Sequence, residues 1–133
     1  MFFNKTPDIH PSLTSLSESF NDHELNTLGR FGTVVNITAG SILAREGAVG
    51  TEAVVIISGT ANVVRNDEVI AAVGSSTILG EGSLVTGEAR NASLVADSDL
   101  TVCVLDRRGF HSWLAACPRV EAEVNKLALT RAG

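Results

Sequence analysis

A chain of 133 residues can bury one hydrophobic core and is too short for two ordinary domains. Its formal charge of −5 argues against non-specific nucleic-acid binding, which needs a basic face, and its apolar runs, such as residues 53–57, fall far short of bilayer length. Aromatics are scarce and tyrosine is absent, so valine, isoleucine, alanine and threonine carry the apolar mass, a composition that favours strands.

Residues 1–11 read as a lead-in broken by Pro7 and Pro11, and 12–133 as one domain. Met1-Phe2-Phe3 runs straight into Asn4 and Lys5, which is not a secretory pattern, so a cytoplasmic setting with reduced thiols is expected. Ser12 is placed to cap a short helix with Leu13, Leu16 and Phe20 on its apolar side. Asn21-Asp22 offers a second cap, for a helix carrying Leu25 and Leu28 and ended by Gly29 and Gly32.

From Thr33 the hydrophobic period changes to two. Strands are expected over 34–37, 41–45, 53–57, 60–65, 69–73, 91–96 and 100–105, separated by glycine turns and by an Asn66-Asp67 hairpin tip. Many short strands at regular spacing imply a closed double sheet or barrel. The end turns helical. Asp106 can cap a helix over 107–115 with Phe110, Trp113 and Leu114 inward, and Pro118 suits the first position of another, on which Val120, Val124 and Leu127 share a stripe.

The chemistry concentrates in residues 78–95. A turn, Gly80-Glu81-Gly82, leads into Ser83-Leu84-Val85, which can form one helical turn, and Arg90 opens an alternating run, Arg90-Asn91-Ala92-Ser93-Leu94-Val95. Glycines let backbone N–H groups approach a ligand closely, and a helix N-terminus presents unpaired N–H groups with partial positive charge. Arg90 adds a permanent charge and a planar fork suited to phosphate oxygens. Glu81 would repel a phosphate but can accept a hydrogen bond from a hydroxyl. A carboxylate for a hydroxyl, with amides and an arginine for a phosphate, describes a ribose phosphate.

This stretch resembles the phosphate-binding cassette of the cyclic-nucleotide-binding domain family. Gly80 and Glu81 fall on the family's Gly-Glu, and Arg90 falls on its arginine at a family spacing. The order of elements and the glycine landmarks Gly40, Gly47 and Gly59 extend the resemblance over nearly the whole chain. It implies a mainly β fold, an eight-stranded jelly-roll barrel with short N-terminal helices and two C-terminal helices. It further implies a stand-alone sensor of cyclic AMP or cyclic GMP, without a cofactor, bound through Gly80, Glu81, Gly82, Ser83, Leu84, Arg90, Asn91 and Ala92. The C-terminal helix would close as a lid, and a protein effector or a homodimer would read the signal, with neither nucleic acid nor membrane as partner.

This chain departs from the family pattern in having Gly82 and Ser83 where a bulky aliphatic and an alanine are common, and Asn91 after the arginine. The contact at those positions is through backbone N–H and survives the change. Relatives that have lost nucleotide binding usually lack the glutamate or the arginine, and both are present here. The competing reading is a structural or interaction module that keeps the fold and binds no nucleotide. An enzyme of the cupin type lacks support, because His10, His23 and His111 lie off the expected barrel strands. Cys103 and Cys117 are expected to be structural thiols, Trp113 to be core, and Arg107-Arg108 to be a solvated face.

Overall fold

The computed structural model describes residues 13–15, 19–48, 52–79 and 92–132, with 13–15 and 126–132 as backbone alone. The first strand, β1, spans Leu13–Ser15, where a helix is expected from sequence. Leu13, Thr14 and Ser15 instead register against Leu79, Ile78 and Thr77, so a tertiary pairing overrides the helical spacing of Leu13 and Leu16.

Helix α1, Asp22–Phe31, starts where the sequence predicts. The Asn21 side chain accepts the Glu24 N–H at 2.8 Å, and Glu24 Oε1 accepts the Asn21 N–H at 3.0 Å, a reciprocal capping box. The helix runs through Gly29 and is capped by Gly32, so only the second of the two expected glycine stops operates.

Eight strands follow: β2 (Thr33–Ile37), β3 (Ile42–Ala44), β4 (Glu52–Ser58), β5 (Ala61–Arg65), β6 (Glu68–Val73), β7 (Thr77–Leu79), β8 (Ser93–Ala96) and β9 (Leu100–Asp106). Asn66 and Asp67 both adopt positive φ, 52° and 66°, the backbone of a tight hairpin turn between β5 and β6. The chain ends in α2 (Arg107–Ala116) and α3 (Pro118–Ala132). Asp106 caps α2 through its carboxylate, which accepts the Gly109 N–H at 2.7 Å. Only glycine fits at 109, because a Cβ there would lie 2.3 Å from the Phe31 carbonyl oxygen.

The strands form two antiparallel sheets, ordered β1-β7-β4-β9-β2 and β3-β8-β5-β6. This corrects the expected eight-stranded closed barrel in two respects. β1 adds a ninth strand to the eight, and among the described residues no pairing joins the two sheets. β3 is too short, at three residues with a register shift between Ile42 and Ala44, to carry a ladder round a closed rim.

Three layers result. The five-stranded sheet lies between the helices and the four-stranded sheet, and β4 shows why its sequence is an unbroken apolar run. Ala53 and Val55 pack toward the helices with Leu28, Phe110 and Trp113, while Val54 and Ile56 pack toward Val63, Leu94 and Ala96 of the other sheet. A strand buried on both faces loses its alternation.

Candidate ligand-binding site

The segment singled out for anion capture connects β7 to β8, and these strands belong to different sheets. Gly80, Glu81, Gly82, Ser83, Leu84, Arg90 and Asn91 lie outside the described residues. Ala92 lies within them, is buried, and packs in the core between the sheets. Leu79, the last described residue before the segment, packs in that same core, while its neighbour Ile78 turns toward the helices. Both flanks of the segment are therefore rooted in the space between the sheets.

That space is aliphatic. Its buried members are valines, isoleucine, leucines and alanines, with Val35, Ile37, Leu43, Ile70 and Val73 partly buried around them. A phosphate brought into such surroundings requires a compensating cation and hydrogen-bond donors, since an unpaired buried anion is very costly. Arg90 is the only basic residue in the sequence between β7 and β8.

Residues that sequence reading did not single out brace the two flanks. Ser93 Oγ accepts the Glu46 N–H at 2.8 Å, and Glu46 Oε1 accepts the Asn66 N–H at 3.2 Å. The start of β8 is thus tied to the turn after β3 and, through Glu46, to the β5–β6 hairpin. Upstream of β7, Ser76 holds a left-handed backbone, φ 66°. Its N–H donates to the Ile56 carbonyl at 3.0 Å, and its Oγ accepts the Phe20 N–H at 3.2 Å. The only sequence signal for either brace was the Gly47 landmark, which marks a turn but not its partners.

On the opposite face of the five-stranded sheet, Glu24 is the hub of a polar cluster. Its carboxylate caps α1 and also accepts Arg119 Nε at 3.0 Å and Arg119 Nη2, while Nη2 reaches the Ser19 carbonyl at 2.9 Å. Its backbone carbonyl accepts Trp113 Nε1–H at 3.1 Å. Phe20 meets the Trp113 ring edge-on, with centroids 5.6 Å apart. Burial pushes the Glu24 carboxyl upward, but the Arg119 hydrogen bonds, the Asn21 N–H and the nearby positive charge outweigh it and hold the group below the ordinary carboxylate value. His23 Nε2 lies 2.9 Å from the Ala116 carbonyl, and Thr27 Oγ1 lies 3.2 Å from Cys117 Sγ, so the α2–α3 junction is stitched to α1.

The remaining candidates behave as inert parts. Burial pushes the Cys103 thiol up to about 11 and raises that of Cys117 as well, so neither is a ready thiolate. Trp113 is fully buried core, and Arg107 and Arg108 are exposed. His23 and His111 are exposed, His10 lies outside the described residues, and among the described residues no group of three metal-ligating side chains occurs. Among those residues, too, no helix is long and apolar enough to cross a membrane.

Comparison with known proteins places this geometry. The family model described as the cyclic nucleotide-binding domain matches residues 34–117, a span that contains the whole β7–β8 connection. A cyclic nucleotide-binding domain from Methylobacillus flagellatus KT is similar in structure, with a TM-score of 0.68 and 27% identity over 98% of this chain and 78% of the other. A structure solved in work on a cyclic-GMP-dependent signalling pathway that regulates bacterial phytopathogenesis has a TM-score of 0.69 and 27% identity, over 86% of this chain and 94% of the other. A cyclic nucleotide-gated potassium channel of Rhizobium etli is 27% identical over 97 residues, 73% of this chain but only 27% of the channel. The matched span, the two-sheet fold and the flanks of the β7–β8 connection agree: the chain belongs to the cyclic nucleotide-binding domain family.

Proposed function

We propose that this protein senses cyclic AMP or cyclic GMP as a cytoplasmic regulatory module rather than an enzyme, and passes the signal to a protein effector or a second copy of itself. Arg90 pairs with the ring phosphate, and backbone N–H groups from Gly82 to Leu84 and at Asn91 and Ala92 complete its ligation. Glu81 accepts the ribose 2′-hydroxyl, and Gly80 provides the turn. The observation that carries this reading is the family match over residues 34–117, which includes Glu81 and Arg90 at the motif spacing. The potassium channel of Rhizobium etli is named for gating by cyclic nucleotides, and one structural relative comes from cyclic-GMP signalling, which supports both ligands as candidates. Ligand binding shifts α3. Because Arg119 at the start of α3 is clasped by Glu24, that shift carries α1 with it or breaks the pair.

Calorimetry with each cyclic nucleotide and with a linear 5′-monophosphate tests the reading. Binding of a cyclic form in preference to the linear one is expected. Arg90→Lys keeps the charge but loses the two-pronged geometry, and should weaken binding roughly 10- to 100-fold, the range of a lost charge-assisted hydrogen bond. Arg90→Glu should abolish binding while the melting curve persists. No heat with either cyclic form would end the sensor reading, and wild-type affinity in folded Arg90→Glu would end the assigned site.

A further inference from the structure

An edge strand exposes a row of unpaired N–H and C=O groups, and natural sheets blunt such edges with charges, proline, bulges or shortness. Three of the four edges here are blunted. β1 has three residues. β3 has three and shifts register between Ile42 and Ala44. β6 opens on Glu68, and its pairing with β5 shifts between Val63 and Val64. β2 has none of these devices. Its five residues, Thr33-Val34-Val35-Asn36-Ile37, contain no charge and no proline, and they hold unbroken register with β9 from Thr33↔Val104 to Ile37↔Leu100. Among the described residues its other side has no strand partner. Val34 is 52% exposed, and Phe31, just before the strand, is 36% exposed.

The two ends of this edge also differ in charge. At the Thr33 end lie exposed Arg30 and, beside the Phe31 carbonyl that packs on Gly109, exposed Arg107 and Arg108. The acids at this end are Asp106, engaged in capping α2, and Glu52, which registers against Asp106 one strand further in. At the Ile37 end the β8–β9 turn carries exposed Asp97, whose carboxylate accepts from Thr60 and Asn62, and exposed Asp99, which lies nearest the edge and accepts the Ala39 N–H at 2.9 Å.

We propose that β2 pairs antiparallel with β2 of a second copy about a twofold axis, joining the two five-stranded sheets into one. Antiparallel self-pairing sets the basic end of each edge against the acidic end of the other, and a twofold satisfies both ends at once. A second copy therefore matches the charge pattern with no further feature required, whereas an unrelated strand would have to reproduce it. Val34 of each copy comes to lie across the seam, where its exposed side chain is covered.

Sedimentation velocity on the full chain across micromolar concentrations tests this. A reversible dimer is expected, weakened by added salt, with backbone amides of residues 33–37 gaining exchange protection as concentration rises. Val34→Lys places a charge on the edge and should weaken the dimer by about tenfold or more while the Trp113 fluorescence of the folded state is kept. Should that variant fail to fold, Asn36→Lys on the same exposed edge gives the same reading. A wild type that stays monomeric throughout, or a dimer undiminished in a folded lysine variant, overturns the proposal.

Discussion

The two cores of this protein are built on opposite plans. The helix-side core is made of large, interlocked pieces: Trp113, Phe110 and Leu28 around a buried carboxylate whose hydrogen bonds are directional. The core between the sheets is made of aliphatic side chains ringed by partly exposed ones and, among the described residues, has no aromatic member. Directional contacts fix one arrangement, while aliphatic contacts tolerate a guest. The difference teaches that directional contacts are concentrated on the helix side, while the core that holds Leu79 and Ala92 is kept plain.

Changes on the helix side should therefore act on stability first. The largest expected effect is Trp113→Ala, which removes the biggest fully buried side chain and one of the hydrogen bonds to the Glu24 carbonyl. A loss of about 3–5 kcal/mol is expected in denaturant unfolding, and a loss below about 1 kcal/mol would place the aromatic outside the main core.

Next comes Arg119→Met, which leaves a carboxylate that is 3% exposed without its cation. Removing one partner of a buried pair costs about 3–5 kcal/mol, and because the Arg119 side chain is 34% exposed, about 2 kcal/mol is the expectation here. Pairing Glu24→Gln with Arg119→Met should recover part of the loss, which a purely steric role for Arg119 would not permit.

The smallest effect sharpens the same contrast through pH. The Glu24 carboxyl is held below its ordinary value in the folded state, so the unfolded chain takes up the proton more readily. The stability it contributes is fully present above the unfolded carboxylate value, about 4.3, and is lost as pH falls through the lower folded one. In Arg119→Met the hydrogen bonds and charge of Arg119 no longer lower the folded value, so it moves up toward the unfolded one and the loss of stability on the acid side shrinks. Melting curves at neutral and acid pH for both proteins would check this, and parallel acid profiles would remove Glu24 from the account.

Much of the fold was legible in the sequence because it depends on local rules. Alternation from Thr33 onward, the Asn66-Asp67 turn, the caps at Asn21 and Asp106 and the start at Pro118 are each set by a few neighbouring residues. β1 was not legible, since the spacing of Leu13 and Leu16 fits a helix and only the distant partner β7 makes a strand of residues 13–15. Glu24 was likewise invisible as a hub. Arg119 lies 95 residues away, and no local pattern distinguishes a surface glutamate from one awaiting an arginine. The candidate site residues, Gly80, Glu81 and Arg90 among them, stood out as a motif, whereas the braces at Ser76 and Glu46 are single polar residues whose partners come from other strands and loops.

The clasp between Glu24 and Arg119 also sets a schedule for the growing chain. A ribosome releases α1 long before its cation exists: at roughly 5–20 residues per second, the 95 residues between them take about 5–20 s to make. During that interval the Glu24 carboxylate can cap its own helix but has no arginine to meet, and Trp113 has not yet arrived to cover it. Strands β2 to β9 are all synthesised in the meantime, since β9 ends before α2 begins. The contact that ties α1 to α3 therefore forms only after every described strand has been made.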